Sequence, residues 1–250
     1  MIKAFLKKLR RRLLRKPYLR DPRFPAYWFA RVLGGHPAQI VQIGSNDGKT
    51  GDPLYPLFQR YPAWRGLLVE PLPATFARLQ ENYPDRERFQ LANVAINDGT
   101  ALPFYYVDPR AKTDLPDLPY WYEQLGSFYR GHIEKELDGV LTPYVRTTTV
   151  EGITLADLLA RHNIAGIDLL HIDTEGYDWK ILGQLDLSRY APTFILYEAQ
   201  HLAAEELAAA AAFLAPQYRV FQTSIDHLAV HRKLGEKLLG EMAARMPAVE

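Results

Sequence analysis

The chain has 250 residues, of which 48% are hydrophobic and 24% are charged, and it contains no cysteine. This length suffices for one large domain or two small ones, and the composition is ordinary for a soluble globular protein. The lack of cysteine excludes disulfides, thiolate chemistry and zinc–cysteine sites, and it fits a cytoplasmic protein. No run of eighteen apolar residues predicts a membrane-spanning helix, and no uninterrupted apolar core predicts a secretory signal.

The formal net charge of +1 is distributed unevenly along the chain. Residues 1–20 contain nine Lys and Arg residues and no acidic residue, which leaves 21 basic and 29 acidic groups in the rest. An acidic body of this kind argues against a general nucleic-acid-binding surface. The basic excess therefore belongs to the N-terminal arm.

Residues 1–16 are predicted to form an amphipathic helix, because five apolar residues recur at the spacing of one helical face. These residues are Ile2, Phe5, Leu6, Leu9 and Leu13. Lys and Arg occupy much of the remaining surface. Such a helix would lie in the interface of an anionic membrane, on its inner face for a cytoplasmic protein. Alternatively, it would pack its apolar face on the acidic body or on a second subunit.

A proline-rich connector follows over residues 17–26, and a short helix over 26–33 is predicted to end at Gly34. We therefore divide the chain into a basic arm with its connector, residues 1–35, and one catalytic domain, residues 36–250. The number of subunits is not predicted.

Beyond the connector, strands and helices alternate, which is typical of a mostly parallel sheet with helices on both faces. Apolar runs predict strands over residues 39–43, 66–70, 89–95, 167–173 and 193–198. Apolar periodicity predicts helices over residues 53–60, 73–82, 154–162, 202–214 and 234–246. Two final strands, 218–223 and 227–231, must be antiparallel because their connection is very short. The sequence therefore predicts an α/β fold with a seven-stranded, mostly parallel sheet.

An aromatic-rich insertion, residues 100–150, interrupts this alternation and contains hairpin-like segments near 102–107 and 144–150. Its aromatic rings suit a platform for sugar rings, and they equally suit the packed core of a lid. Tyr120 and Trp121 are the predicted substrate contacts of the platform.

The first predicted strand opens into a loop of glycine and small polar residues, Gly44 to Gly48. Glycine lets a backbone approach a ligand without a Cβ in the way. Glu70, at the end of the next strand, follows Gly44 by 26 residues. A carboxylate at about this spacing binds the ribose diol in nucleotide-binding folds. The pair predicts such a site, and a structural turn with a helix-capping carboxylate is the alternative.

Polar or acidic residues also follow the other predicted parallel strands. Asn93 to Asn97 follow the third strand, Asp173 to Gly176 the fourth, and Glu198 to His201 the fifth. Ligands of open parallel sheets bind beyond the carboxyl ends of the strands, so these residues are expected to surround one site. The loop after the first strand lacks the G-x-G-x-x-G spacing, which disfavours a dinucleotide-dependent oxidoreductase.

Four segments, in this order, resemble the FkbM-type methyltransferases, a branch of the class I S-adenosylmethionine-dependent enzymes. The segments are Val41–Gly48, Leu68–Pro71, Asn93–Ile96 with Gly99, and Ile172–Asp178. The resemblance covers about residues 38–231. It implies a Rossmann-like class I methyltransferase fold, S-adenosylmethionine as the cofactor, and O-methylation of a sugar hydroxyl in a glycan, glycolipid or glycosylated natural product. A catalytically silent, membrane-peripheral nucleotide-binding scaffold is the alternative from another functional class.

The resemblance also implies which residues contact the cofactor. Glu70 would accept hydrogen bonds from both ribose hydroxyls, and Asp47 would meet the ammonium of the methionine moiety. Apolar residues after the second and third strands would border the adenine or else belong to the core. The full predicted set is Gly44, Ser45, Asn46, Asp47, Glu70, Leu72, Asn93, Ala95 and Ile96.

The catalytic residues are predicted beyond the fourth and fifth strands, where the sulfonium methyl group is expected. Methyl transfer requires an aligned acceptor and a group that takes its proton. The predicted catalytic residues are Asp173, Glu175, Glu198 and His201. As structural alternatives, Asp173 would only hold backbone amides and His201 would only contact a helix start. The four side chains could also bind a hard divalent cation, although no spaced ligand motif supports a metal site.

Two further residues are singled out by the resemblance. His171 stands where the family usually has Lys, so no role transfers to it, and its alternation with Ile172 predicts a core histidine satisfied by a neighbour. Ser127 belongs to a Gly-Ser-Phe element similar to one of the family, and it is predicted to border the site.

Overall fold

The computed structural model describes residues 19–249. The predicted amphipathic helix over residues 1–16, with its membrane or protein contact, lies outside this range. Within it, no helix is long and apolar enough to cross a membrane.

The described residues form twelve β-strands and nine α-helices. The strands are β1 Gln39–Ile43, β2 Arg65–Val69, β3 Phe89–Ala92, β4 Ala95–Ile96, β5 Leu102–Val107, β6 Gly126–Ser127, β7 Val145–Val150, β8 Gly152–Ile153, β9 Leu169–Ile172, β10 Phe194–Glu198, β11 Tyr218–Gln222 and β12 Asp226–His231. The helices are α1 Pro25–Leu33, α2 Tyr55–Arg60, α3 Pro73–Asn82, α4 Ala111–Asp114, α5 Arg130–Lys135, α6 Leu155–Arg161, α7 Asp178–Leu182, α8 Ala204–Leu214 and α9 Glu236–Ala243.

Seven strands form the main sheet in the order β3-β2-β1-β9-β10-β12-β11. The first five run parallel to one another, and β12 runs antiparallel to both of its neighbours. The predicted mostly parallel sheet and antiparallel final pair are confirmed. The chain passes from β1 to β2 on one side and later enters β9 on the other, so the strand order reverses between β1 and β9. Ligands of open α/β sheets bind at such a switch point.

Alternate side chains of the strands pack into two hydrophobic cores, one on each face of the main sheet. Val41 and Ile43 belong to the core that helices α6, α7 and α8 cover. Ile40 and Leu68 belong to the opposite core, which helices α1, α2, α3 and α9 cover. Because both faces are covered, the central strands are continuous apolar runs, the pattern that made them visible in the sequence.

Helix α1 belongs to the packed body, although the sequence-based division placed it in the connector. Trp28 and Phe29 are buried in the second core. The indole Nε1 of Trp28 also donates a hydrogen bond to the main-chain oxygen of Pro22 at 2.8 Å. The body therefore begins before residue 36.

The predicted strand over residues 89–95 is wrong in its second half, since β3 ends after four residues. The side-chain amide of Asn93 donates to the main-chain oxygens of Glu70 and Pro71 at 2.8 and 3.0 Å. The chain then leaves the main sheet, and β4 pairs with β8. This break lets β4 form a wall of the site described below.

The insertion folds as a small antiparallel sheet in the order β6-β5-β7. The two hairpin-like segments predicted at its ends pair with each other as β5 and β7. Tyr122, Leu125 and Ile133 are buried in its own core. Buried aromatic and aliphatic side chains thus hold the insertion together as a compact unit beside the carboxyl edge of the main sheet.

Candidate active site

A cavity opens at the carboxyl ends of β1, β2 and β9, where the strand order reverses. Eight of the residues predicted to bind cofactor or catalyse line it together; six follow these three strands, and the other two form β4. These residues are Gly44, Asn46, Glu70, Leu72, Ala95, Ile96, Asp173 and Glu175. We refer to this space as the cofactor cavity.

The turn after β1 brings two strand ends into direct contact. The amides of Gly44 and Ser45 both donate to the main-chain oxygen of Val69, at 3.0 and 2.9 Å. Gly44 has a φ of +80°, and a Cβ at this position would lie 1.7 Å from the main-chain oxygen of Asp173. Only glycine fits this close approach of backbone to backbone.

Glu70 is 5% exposed and lies one residue beyond β2. Its Oε1 accepts a hydrogen bond from the amide of Leu72 at 2.9 Å, and its Oε2 accepts one from the amide of Asn46 at 3.0 Å. Burial raises the pKa of Glu70 to about 7, although both amides oppose that shift. Because a carboxylate offers about four lone-pair sites, two remain for a ligand in the cavity.

Three residues of the predicted cofactor set use their side chains to hold the loops. The Ser45 hydroxyl donates to the main-chain oxygen of Gln42 and accepts from the amide of Val69. The Asp47 carboxylate accepts from the amides of Lys49 and Thr50 and from the Thr50 hydroxyl. Asn93 binds the chain after β2, as described above. These side chains do not line the cofactor cavity, so the positions support it from behind.

The insertion covers the apolar side of the cofactor cavity. Leu72 and Ala95 pack with Phe104 of β5, and Phe128 packs against that cluster. The rings of Phe104 and Phe128 meet edge to face at 5.1 Å. Aromatic rings of the insertion therefore face the part of the cavity predicted for the adenine.

The predicted contacts Tyr120 and Trp121 lie away from this cavity. Tyr120 is 67% exposed, and Trp121 packs against the core of the insertion. Glu123 and Gln124, a few residues farther along the same short 3₁₀ helix, do line the cavity. Sequence reasoning missed them because an aromatic cluster does not reveal which side of a short helix faces inward.

A cluster of two glutamates and two histidines lies beyond β9 and β10. Glu175 Oε2 is 2.6 Å from His132 Nε2 and 3.7 Å from His201 Nε2. Glu198 Oε1 is 3.4 Å from His201 Nε2, and the two imidazole rings are 4.3 Å apart. His132 belongs to α5 of the insertion and was not predicted, because nothing local marks a contact across 43 residues.

Two carboxylates near or within this cluster, those of Asp173 and Glu198, have few hydrogen-bond partners among the described residues. Asp173 is exposed to the cavity, although protein atoms are packed around its carboxylate. Desolvation by these atoms, followed by the charge of Glu175, raises its pKa well above the usual range. Glu198 is 6% exposed, and its Oε2 has no hydrogen-bond partner among residues 19–249. Burial, followed by the charge of Asp173, raises the pKa of Glu198 in the same direction.

The alternative prediction for Asp173 is that it only holds backbone amides of neighbouring loops. Asp178, and not Asp173, makes such contacts. Its carboxylate accepts hydrogen bonds from the amide and hydroxyl of Thr174 and from the amide of Glu198. Asp178 thereby joins the ends of β9 and β10. The carboxylate of Asp173 makes no comparable bond within the described chain, which leaves it available to a ligand.

The two further residues that the sequence singled out, Ser127 and His171, have different surroundings. The Ser127 hydroxyl donates to the main-chain oxygen of Glu175 at 3.0 Å and accepts from the amide of Tyr129. It thus ties the insertion to the loop that follows β9. His171 is buried as predicted, and burial lowers its pKa to about 4. The expectation of a satisfying neighbour is wrong for Nδ1, which has no partner in the described structure.

A second cavity adjoins the first at Glu175, which lines both. It lies between α5 and the start of α8, and its lining is largely polar. Its lining includes Tyr129, His132, Glu136, Gln200, His201 and Glu206. Glu175 therefore lies in the wall between the cofactor cavity and this second cavity.

Several solved structures resemble this chain at low identity. The METTL16 MTase domain is 12% identical, with a TM-score of 0.42, over 82% of this chain and 64% of that one. A chain of a fibrillarin/Nop5p complex is 11% identical, with a TM-score of 0.40, over 81% and 78%. Aeropyrum pernix fibrillarin, solved with natively bound S-adenosyl-L-methionine, is 11% identical, with a TM-score of 0.40, over 78% and 66%.

No curated protein matches the sequence. The family description "Methyltransferase FkbM domain", in contrast, matches residues 42–235, which is most of the chain. This range contains all four motifs except Val41, and it includes the cofactor cavity and the cluster of glutamates and histidines. The chain therefore belongs to the FkbM methyltransferase family and is an S-adenosylmethionine-dependent methyltransferase.

Proposed function

We propose that this enzyme methylates an oxygen atom, namely a sugar hydroxyl of a glycan, glycolipid or glycosylated natural product. The observation that carries the proposal is the position of the Asp173–Glu175 loop. This loop borders the cofactor cavity and, at Glu175, the second, polar cavity, which we propose receives the acceptor and therefore call the acceptor cavity. A hydroxyl entering from the acceptor side would meet carboxylates before it meets the cofactor.

The residues around the cofactor cavity fit S-adenosylmethionine. Glu70 has lone pairs left for the ribose hydroxyls. Gly44 lines the cavity without a side chain, so the methionine moiety could approach the backbone of this loop. Leu72, Ala95 and Ile96 offer an apolar surface to the adenine. When bound there, S-adenosylmethionine supplies an electrophilic methyl group on its sulfonium.

Asp173 is the residue that we assign to proton removal from the acceptor. Its carboxylate lines the cofactor cavity and lacks a hydrogen-bond partner in the described chain. Its raised pKa makes it a stronger base than an ordinary carboxylate, which favours proton transfer from a hydroxyl. Glu175, Glu198 and His201 would hold and orient that hydroxyl from the acceptor side.

The acceptor cavity suits a carbohydrate better than an apolar substrate. Glu136, Gln200 and Glu206 offer hydrogen-bond acceptors and donors, and the ring of Tyr129 offers a face for the C–H groups of a sugar. Tyr120 and Trp121 remain proposed contacts for a longer glycan, outside the cavity.

The test is transfer from methyl-labelled S-adenosylmethionine to candidate glycan extracts, followed by mass spectrometry of the products. We expect one added methyl group on a sugar oxygen. Asp173→Asn should retain cofactor binding and lose turnover by at least roughly 100-fold. Asp117→Asn changes an exposed carboxylate of the insertion and should behave as the native protein.

Two outcomes contradict the proposal. Near-normal turnover of Asp173→Asn would make that carboxylate structural. Cofactor binding by calorimetry without transfer to any glycan fraction would instead favour the silent scaffold.

We further propose that residues 1–16 dock on an anionic membrane, which would suit a lipid-linked acceptor. Each basic residue near such a surface contributes about 1 kcal/mol. Full-length protein should sediment with anionic vesicles, be released as salt rises, and remain in solution once residues 1–16 are removed. Equal sedimentation of the two forms would favour packing of the helix on protein.

A further inference from the structure

Three side chains beyond β9 and β10 place their ligand atoms within 4.8 Å of one another: those of Glu175, Glu198 and His201. Glu175 comes from the loop after β9, Glu198 is the last residue of β10, and His201 follows β10; Glu175 and His201 also line the acceptor cavity. From this convergence, and from the unpartnered carboxylate oxygen described next, we infer that Glu175, Glu198 and His201 bind a divalent cation of the first transition series.

The unpartnered atom is Oε2 of Glu198. This side chain is 6% exposed, and its other oxygen points at His201 Nε2 from 3.4 Å. A buried carboxylate oxygen without a partner is costly, because it has lost its hydration and gained nothing in return. A cation that Glu198 coordinates through both carboxylate oxygens would satisfy Oε2 as well as Oε1.

The separations fit ligands of one metal better than they fit hydrogen bonds. His201 Nε2 lies 3.4 Å from Glu198 Oε1 and 3.7 Å from Glu175 Oε2, which exceeds the usual 2.7–3.2 Å of an N–H···O bond. Four ligand atoms placed tetrahedrally at about 2.0 Å from a metal are about 3.3 Å apart. Small side-chain adjustments would bring the three ligand atoms within bonding distance of one metal ion.

The charge of the cluster points the same way. Within residues 19–249, neither Glu175 nor Glu198 forms an ion pair with Lys or Arg, and only the imidazoles of His132 and His201 approach their carboxylates. Asp173 and Asp178 add two further carboxyl groups nearby. Carboxylates gathered without a fixed cation are typical of a metal site.

His132 is assigned a positioning role. Its Nε2 lies 2.6 Å from Glu175 Oε2, too short for two ligands of one metal and right for a hydrogen bond. Hydrogen bonds to ligating carboxylates orient them and tune the metal. The insertion would therefore help to form the metal site through α5.

Two carboxylates and one imidazole suit Mn²⁺, Fe²⁺, Co²⁺ or Zn²⁺, whereas Mg²⁺ prefers oxygen ligands alone. Three protein ligands leave coordination positions open, as in catalytic sites. If the proposed sugar methylation is correct, a hydroxyl in the acceptor cavity would take an open position and lose its proton more readily to Asp173.

The test uses the full chain without an affinity tag, freed of metal by chelation, with neither cofactor nor acceptor present. Calorimetry and electron paramagnetic resonance with Mn²⁺ should show one site per chain. Zn²⁺ and Mn²⁺ should each raise the melting temperature, because a ligand that binds only the folded state stabilises it.

Glu198→Gln and His201→Gln should each lose Mn²⁺ affinity by at least about tenfold and lose the thermal shift. His132→Gln should weaken binding about 10–100-fold, as expected for an outer partner. Glu205→Gln, an exposed glutamate on α8, is the matched control and should bind as the native protein does.

Absence of binding in the folded native protein would overturn the inference. So would loss of binding in Glu136→Gln with retention in Glu198→Gln, since Glu136 belongs to a neighbouring cluster with His132 and His201. The binding assay is independent of sugar transfer. Metal binding without methylation of any glycan would leave the metal site in place and count against the proposed function alone.

Discussion

Glu70, just after β2, and Glu198, the last residue of β10, are both buried, but their hydrogen bonding differs. Each oxygen of Glu70 accepts a backbone hydrogen bond, so the free protein already holds this side chain in place. Glu198 has an oxygen with no such bond in the described structure, and Asp173 beside it has no fixed partner either. Folding completes the first site, whereas the second remains short of partners until a ligand binds.

This difference matches the two tasks of a methyltransferase. A pre-organised carboxylate suits a cofactor that binds in every cycle, since no side chain has to be ordered on binding. Under-satisfied carboxylates of raised pKa suit a site where protons and charges move. The following predictions test this contrast, beginning with the largest effect.

Gly44→Ala should disrupt the surroundings of both Glu70 and Asp173, because the backbone of Gly44 contacts the ends of β2 and β9. The added Cβ would lie 1.7 Å from the main-chain oxygen of Asp173, and φ is +80°. We expect a loss of stability of more than about 3 kcal/mol and no measurable cofactor binding. Thermal unfolding and calorimetry measure the two effects.

Gly35→Ala is the matched control, since nothing lies within 4 Å of a Cβ there. It should be neutral or stabilising by up to about 1 kcal/mol. Native-like stability and affinity of Gly44→Ala would contradict the close approach that we describe.

Glu70→Gln should weaken S-adenosylmethionine binding by about 2–4 kcal/mol, since hydrogen bonds to a charged group are worth about 1.5–3 kcal/mol each and do not add fully. The variant keeps the size of the side chain and loses its charge. Calorimetry on the folded variant decides, and an unchanged dissociation constant would remove Glu70 from the cofactor site. Asp173→Asn, in contrast, should bind the cofactor normally.

Cofactor affinity should also depend on pH through Glu70. Its pKa is about 7 in the free protein, and the ribose hydroxyls favour the ionised form. Each pH unit below 7 should therefore weaken binding by up to about tenfold, and affinity should level off above it. The ratio of native to Glu70→Gln affinity between pH 5.5 and 8.5 isolates this effect from titration of the ligand. A constant ratio would show that Glu70 does not titrate in this range.

The stability of the free protein should fall as the pH rises, because buried carboxylates keep their protons in the folded state. Burial raises the pKa of Asp178 to about 7 from 3.8. Its contribution is fully present below the unfolded value and is lost as the pH rises through about 7. We expect a loss of about 1–2 kcal/mol between pH 6 and 8 in thermal unfolding, and a smaller slope for Asp178→Asn. An equal slope in the two proteins would assign the effect to other groups.

The sequence by itself determined the alternation of strands and helices, the glycine turn after β1, the carboxylate after β2 and the family motifs. These features depend on residues close together along the chain. Apolar periodicity reports which face is buried, and the parallel order of strands then brings Gly44, Glu70 and Asp173 to one edge. The predicted cofactor residues Leu72, Ala95 and Ile96 meet in the same cavity for this reason.

Only the tertiary structure decided which side chains face a ligand and which hold a loop. Asp178, rather than Asp173, joins the strand ends, and Gln124, rather than Tyr120, faces the cofactor cavity. His132 reaches Glu175 across 43 residues, from an insertion with its own sheet and core. Contacts of this kind depend on how separate units pack, and no local pattern records them, because short-range periodicity specifies a buried face without specifying its partner.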